Sequence, residues 1–304
     1  MNIQYATAFV DRKTKTMKRL LLPALLSVIC LACTAQVDYS DDSLRVVNAE
    51  WSVDTLEGFY LKRYHFGEGT LFCSAQHLSM IEIPAKSHRK LAFAYDSVLT
   101  QVSAMASRSN AYAAVNGSFF DMDQGNPICY LRIDGTRVGE NTPGKDTVNR
   151  KYYQYASIAL RDGRPTLIVP DSIRTWEDSI ADRNVMTAGP MLLVAGEAVP
   201  QRDDRTFVTN RHNRTALGIK SDGTVLLLVA DGRFKHKAEG LTLPELQRLL
   251  RWLGCQEAIN LDGGGSTTMY VHNRPHEGVV NYPSDNRTYD HEGQRPVSNA
   301  ILVL

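Results

Sequence analysis

The segment from Thr215 to Ala230 restricts the fold more than any other part of the chain. Two apolar arms, 215–220 and 225–230, are joined by Ser221-Asp222-Gly223-Thr224, and Asp-Gly accepts the positive φ that a tight hairpin turn demands. The second arm, Val-Leu-Leu-Leu-Val-Ala, has no polar face. Such a strand needs cover on both sides, so it belongs in the middle of a sheet with apolar layers above and below.

The remaining pattern extends that sheet. Short β-branched or aromatic runs at 58–64, 70–73, 78–83 and 90–95 read as strands, 111–115 as another, and Asp134-Gly135 and Asp162-Gly163 mark two more hairpins. Val98, Val102, Met105 and Ala106 recur at helical spacing before a stop at 107–110, and 171–184 reads as a short helix. The best-defined helix begins with a capping box of Thr242 and Glu245 and has Pro244 in its first turn. Leu246, Leu249, Leu250 and Leu253 form its apolar stripe, and Gly254 ends it. A buried strand at 257–261 follows, and 297–304 is one more, while 36–43 reads as a polar tether and 201–213 as a loop. Hairpin signals outnumber strand–helix–strand units. The fold class is therefore α/β (α+β), a mixed, mostly antiparallel sheet with few helices, rather than a doubly wound parallel sheet. No repeat or linker divides 36–304, which is expected to be one catalytic domain.

Charge becomes informative once its distribution is considered. The chain has 34 basic and 33 acidic residues, a formal net charge of +1. Residues 1–35 hold Arg12, Lys13, Lys15, Lys18 and Arg19 against Asp11 alone, so the remainder carries 34 − 5 = 29 basic and 33 − 1 = 32 acidic residues, a net −3. That balance argues against a nucleic-acid partner, which calls for a basic domain. The removed segment has the form of a secretory signal. Lys18 and Arg19 precede the apolar run 20–32, and Cys33-Thr34-Ala35 supplies small residues ahead of Gln36. The run is short for a transmembrane helix, and no later segment spans a membrane. Export to the periplasm or cell surface is expected, as a soluble protein or, by lipid attachment at Cys33, as a lipoprotein. Of the five cysteines, Cys30 and Cys33 belong to this segment; Cys73, Cys129 and Cys255 allow at most one internal bridge and read equally well as free thiols. Oligomeric state leaves no mark on the sequence.

Three loops carry the candidate chemistry. The strand at 257–261 ends in Asp262-Gly263-Gly264-Gly265-Ser266-Thr267-Thr268. Consecutive glycines are entropically costly, and a tight turn needs only one or two. Their use here is close backbone approach to a ligand, with Ser266 and Thr267 adding hydroxyls. The run lacks the lysine of a P-loop and does not match a dinucleotide fingerprint. The second loop is Asn116-Gly117-Ser118-Phe119-Phe120-Asp121, which on its own reads equally as a turn beside core phenylalanines. Its continuation, 121–126, opens like a calcium loop but has no Glu at the twelfth position. The third is basic: Arg211 to Thr215 leads into one hairpin arm and Asp231-Gly232-Arg233 leaves the other. Arg214 and Arg233 suit bidentate phosphate contacts; a solvated cluster of ion pairs is the alternative. His212 and His236 read as surface residues. No spacing demands a metal; no cofactor is expected, with a divalent cation left open.

Together these segments resemble the phosphodiester glycosidase family. The matching pieces are 116–121, Ala188-Gly189-Pro190, Arg214-Thr215-Ala216-Leu217-Gly218, Asp231-Gly232-Arg233, Gly240-Leu241-Thr242 with its helix, 260–269, and Arg295-Pro296-Val297-Ser298-Asn299-Ala300. They cover about 110–304, and the last long glycine motif is specific. The resemblance implies hydrolysis of a sugar-1-phosphodiester, N-acetylglucosamine among the sugars, releasing free sugar and a phosphomonoester. The chain lacks the cysteine-rich extension and C-terminal anchor of the lysosomal member. It looks more like exported bacterial members linked to exopolysaccharide or surface glycan metabolism.

Breaking an anomeric C–O bond passes through an oxocarbenium-like state, which a carboxylate stabilises or serves by activating water. Phosphate is a good leaving group, so guanidinium groups that neutralise it take the place of a strong general acid. The expected allocation is Asp262 or Asp231 as base or nucleophile, with Asn116 and Arg214 in the catalytic set. Arg233, Thr215, Gly263, Gly264, Gly265, Ser266, Thr267, Asp121, Arg295 and Asn299 are expected to bind the sugar-phosphate or glycan substrate. A non-catalytic surface glycan-binding protein and a phosphodiesterase cutting the P–O bond remain as alternatives.

Overall fold

The computed structural model describes residues 40–142, 151–169, 175–201 and 205–304. The expected signal segment lies outside them, as does the first part of the expected helix at 171–184. Among the described residues the strands form three sheets, and every pairing is antiparallel. The mostly antiparallel expectation therefore holds.

The large sheet has eight strands in the order Ser52–Leu56, Phe59–Leu71, Ser74–Ile83, Val225–Ala230, Arg214–Lys220, Cys255–Asn260, Met191–Val194 and Glu197–Ala198. Val225–Ala230 is central, as its double-sided apolar pattern requires. Val225, Leu227 and Val229 point into one core with Ile81, Leu217, Ile259, Val115, Ile158 and Ile301. Leu226, Leu228 and Ala230 point into a second core with Leu243, Leu246, Leu249 and Leu250 of the helix Leu243–Trp252. The first core faces the two smaller sheets. One, of four strands, runs Met269–Val271, Ala113–Asn116, Val297–Val303, Leu91–Thr100; the other, of five, runs Thr136–Gly139, Leu131–Ile133, Asn184–Ala188, Ala156–Arg161, Arg164–Ile168. Helix cover lies on the opposite side of the large sheet.

The helix cap is the expected one. Glu245 N donates to Thr242 Oγ1 at 3.2 Å, and Thr242 N donates to Glu245 Oε2 at 2.9 Å. Gly254 follows at φ +90°, a left-handed position that favours glycine. Asp134-Gly135 and Asp162-Gly163 both turn hairpins with positive φ at each residue.

Several sequence boundaries shift for physical reasons. Thr70 to Cys73 is not a separate strand; Phe72 and Cys73, at φ +53° and +52°, turn Phe59–Leu71 back into Ser74–Ile83. Val98 lies on the strand Leu91–Thr100 and is 74% exposed, so the following helix is only Val102–Arg108. An edge strand buries only some of its apolar residues, and Val98 coincided by chance with the helical period. The described part of 171–184 holds a single 3-10 turn, Trp176–Ser179. The tether ends at a helix, Ser40–Val47, and the loop at 201–213 contains a short one, Thr206–Thr209. Cys73, Cys129 and Cys255 are free thiols.

Candidate functional site

Three strand ends meet where the motifs lie: Ala113–Asn116 from the four-stranded sheet, and Arg214–Lys220 and Cys255–Asn260 from the large one. The meeting is pinned by backbone bonds. Leu261 N donates to Thr215 O at 2.9 Å, Asp262 N to Gly117 O at 3.0 Å and Gly264 N to Asn213 O at 2.9 Å, while Gly117 N reaches Asn299 O at 3.0 Å.

Asn116 is the hub of that junction. Its Nδ2 donates to the backbone carbonyl of Asp262 at 2.7 Å, and its Oδ1 accepts from Thr215 Oγ1 at 2.7 Å and from Thr268 N at 3.2 Å. It is fully buried. Asn116, expected in the catalytic set, and Thr215, expected to bind substrate, hold the strand ends together. Asn299, also fully buried, accepts from Ser118 N at 2.6 Å and donates to Ser118 O at 3.3 Å, fixing the second loop. Asp121 lies at the far end of that loop, where its Oδ1 accepts from Gln124 N and Asp123 N; these bonds hold its pKa below the usual carboxylate value.

Asp262 is the reactive candidate. The residue is only partly exposed, and withdrawal of its carboxyl from water pushes the pKa up to about 6 against the partial relief of Ser266, the Gly263 N–H and the Arg295 charge. The Gly263 N–H donates to its Oδ1 at 2.8 Å. The Ser266 hydroxyl is the side-chain hydrogen-bonding group that eases the Asp262 charge; Thr268 Oγ1 and Asn260 Oδ1 are buried with no hydrogen-bond partner among the described residues.

Each of the three glycines has a separate steric reason. A Cβ on Gly263 would lie 2.6 Å from Asn213 O, and on Gly264, at φ +63°, 2.7 Å from Arg233 Nη2. On Gly265 it would collide with Arg295 Nη2 and lie 2.5 Å from Asp285 Oδ1. The glycines leave room for the Arg233 and Arg295 side chains. A cavity of about 400 Å³ is lined by Arg233, Phe234, Ser284, Asp285, Arg287 and Arg295. The neighbouring Arg295 and burial both lower the Arg233 pKa, burial being the larger cause. Phe119 is stacked on Tyr153 at 4.4 Å, and burial pushes the Tyr153 hydroxyl up to about 12, with the Cys129 and Asp262 charges adding to the rise.

Arg214 is not at that cavity. Its Nε donates to Leu241 O at 2.8 Å and its Nη2 to Phe207 O at 2.7 Å and Asn210 O at 3.1 Å, with the guanidinium over the Phe207 ring. Burial lowers its pKa to about 9, which still leaves it charged at neutral pH. Asp231 is buried as well, with both carboxylate oxygens occupied. Oδ2 pairs with His77 Nδ1 at 2.8 Å, and Oδ1 accepts from Asn281 Nδ2 at 2.8 Å and Tyr282 N at 3.1 Å. His212 is half-buried rather than a surface residue, and burial lowers its pKa. His236 is exposed and paired with Glu68.

Sequence reasoning missed Arg287, Asp285, Ser284 and Phe234 at the cavity, and His77 and Asn281 at Asp231. The usable signal was length: 272–296 has only one 3-10 turn, His276–Gly278, and long irregular loops inside a compact domain usually carry function. No group of three or more His, Cys, Asp or Glu among the described residues is arranged to hold a metal. No helix among them is long and apolar enough to cross a membrane.

Comparison with known proteins identifies the architecture. The model of the phosphodiester glycosidase family matches residues 109–304. Mouse N-acetylglucosamine-1-phosphodiester alpha-N-acetylglucosaminidase is 39% identical over 79 residues, which is 26% of this chain and 14% of the mouse protein. The chain thus spans a small part of that relative. The zebrafish enzyme of the same name, solved as a catalytic domain auto-inhibited by its pro-peptide, superposes with a TM-score of 0.61 at 17% identity, covering 83% of this chain and 87% of that one. A hypothetical protein from Synechocystis gives 0.58 at 16% identity, over 83% and 63% of the two chains. This chain belongs to the phosphodiester glycosidase family.

Proposed function

We propose that this member of the phosphodiester glycosidase family hydrolyses sugar-1-phosphodiesters at the glycosidic bond, with Asp262 as the base that activates water. One observation carries the reading: a desolvated carboxyl near pKa 6 sits on a glycine loop, with two arginines of an open cavity pressed against that loop. A carboxyl near 6 is ionised at neutral pH yet basic enough to accept a proton.

In the proposed step, water adds to the anomeric carbon as Asp262 takes its proton. The C–O bond breaks, and its electron pair stays on the phosphate oxygen. Arg233 and Arg295 neutralise that oxygen, which removes the need for a strong acid. Tyr153 and Phe119 form the apolar side on which a sugar ring rests. Asn116, Thr215 and Asn299 act one layer back, holding Asp262 and the facing loop in register. The expected cell-surface or periplasmic address, and a role in exopolysaccharide or surface glycan turnover, rest on the N-terminal pattern at 17–36 and on the resemblance to exported bacterial members.

The test is a panel of sugar-1-phosphodiesters, N-acetylglucosamine first, hydrolysed in heavy-oxygen water with and without chelator. Label in the released sugar supports the reading. Label in the phosphate means P–O cleavage, and binding without turnover means a glycan-binding protein. Loss of activity with chelator adds a metal requirement.

A further inference from the structure

The charges lining the cavity do not balance. Arg295 is held by Asp285, with Nε donating at 2.8 Å to Asp285 Oδ1. Arg233 and Arg287 have no ion-pair partner among the described residues. Among the lining residues, three guanidiniums stand against one carboxylate, an excess of two positive charges before Asp262, which lies outside the lining but is felt by Arg295, is counted. A phosphodiester carries one negative charge, whereas a phosphomonoester carries nearly two at neutral pH.

The backbone reinforces the point. Arg233 and Arg287 stand at φ +69° and +60°, the left-handed region that long side chains rarely adopt. Strain of that kind, on the order of 1 kcal/mol or more per residue, persists where the surroundings over-determine it and concentrates at ligand-binding sites. The surroundings do so here. The Arg287 N–H donates to Ser284 O at 3.1 Å, Asp285 N to Gly293 O at 3.1 Å, and Asn286 Nδ2 to Asp290 Oδ1 at 2.9 Å, so the loop that presents Arg287 is cross-tied on both sides. Arg233 is wedged against Gly264, where no side chain fits beside it.

We propose that the cavity is a phosphomonoester site, built for the dianionic product more than for the monoanionic substrate, and that Arg287 supplies the second charge. The product phosphate then stays bound after the sugar leaves, and free phosphomonoesters inhibit. This inference rests on the hydrolase reading for its meaning in turnover, but the anion site is testable without any turnover.

The experiment is calorimetric titration of the full chain with glycerol phosphate, inorganic phosphate and dimethyl phosphate, on wild type and on Arg287→Gln and Arg287→Lys. Glycerol phosphate should bind at least about tenfold tighter than dimethyl phosphate. Binding of inorganic phosphate equal to glycerol phosphate means that the site reads the phosphate alone; weaker binding means that it also reads the attached alcohol. R287Q should lose about tenfold or more in monoester affinity, as removal of one charge-assisted bond predicts, with R287K recovering part of it. R287Q should also weaken inhibition by glycerol phosphate more than it raises the KM for a diester. Equal affinity for monoester and diester, or R287Q indistinguishable from a folded wild type, overturns the proposal. Phosphate binding in a protein that hydrolyses no diester would sink the hydrolase reading and leave this site standing. Turnover without monoester binding would do the reverse.

Discussion

Asp231 and Asp262 are placed alike in the sequence and unlike in the structure. Each follows a buried strand of the large sheet, Val225–Ala230 or Cys255–Asn260, and each is followed by glycine. Asp231 has both carboxylate oxygens hydrogen-bonded, by His77, Asn281 and the Tyr282 N–H. Asp262 has one short hydrogen bond to its carboxylate, from the adjacent Gly263 N–H, with the Ser266 hydroxyl as its other local relief. A saturated carboxylate contributes to folding. An unsaturated one in a desolvated place costs stability and is left with capacity for a substrate.

The largest expected effect is on turnover of Asp262→Asn. Loss of a general base should lower kcat on the order of 10³-fold, while thermal unfolding shows a Tm equal to or above wild type. The sign of the stability change follows from its pKa, about 6 in the folded protein against about 3.9 in the unfolded chain. The folded state binds the proton more tightly, so ionisation between those values weakens folding, and the penalty is fully present above about pH 6. The asparagine removes it.

Asp231→Asn should behave in the opposite way. It places an amide where His77 and Asn281 both donate, a loss of about 3 kcal/mol of stability, read as a Tm several degrees lower, with kcat per folded molecule within a few-fold of wild type. If D231N keeps its Tm and loses turnover, the contrast between the two aspartates is reversed.

Two neighbouring glycines sharpen the same comparison at smaller amplitude. Gly263→Ala drives a Cβ into the Asn213 backbone carbonyl, which cannot move without the strand, so unfolding should detect it at about 2 kcal/mol. Gly264→Ala meets the mobile end of Arg233. It should cost about 1–2 kcal/mol for its left-handed backbone and, more tellingly, raise KM as the guanidinium is displaced. The mildest effect is on pH dependence: kcat/KM should rise through about pH 6 as Asp262 ionises and stay flat to neutrality. A profile falling above pH 6 would make the carboxyl an acid rather than a base.

Local rules made the fold legible where a segment carried its own explanation. The two-faced strand 225–230, the capped helix at 243–252 and the Asp-Gly hairpins all declare themselves within a few residues. Val98 and the turn at Phe72-Cys73 did not, because edge exposure and tertiary pairing decided them. The site divides in the same manner. Asp262 and its glycines were visible as a motif that no turn requires. That Asp231 is saturated by His77, 154 positions away, and that Arg287 joins Arg233, are consequences of topology that no short window contains.

The measurement that bears most directly on this account sets turnover of one sugar-1-phosphodiester beside thermal unfolding for wild type, D262N and D231N in a single buffer. The account predicts that D262N is inactive and at least as stable as wild type, and that D231N is active and less stable. An active D262N, or an inactivity explained by its unfolding, would contradict it.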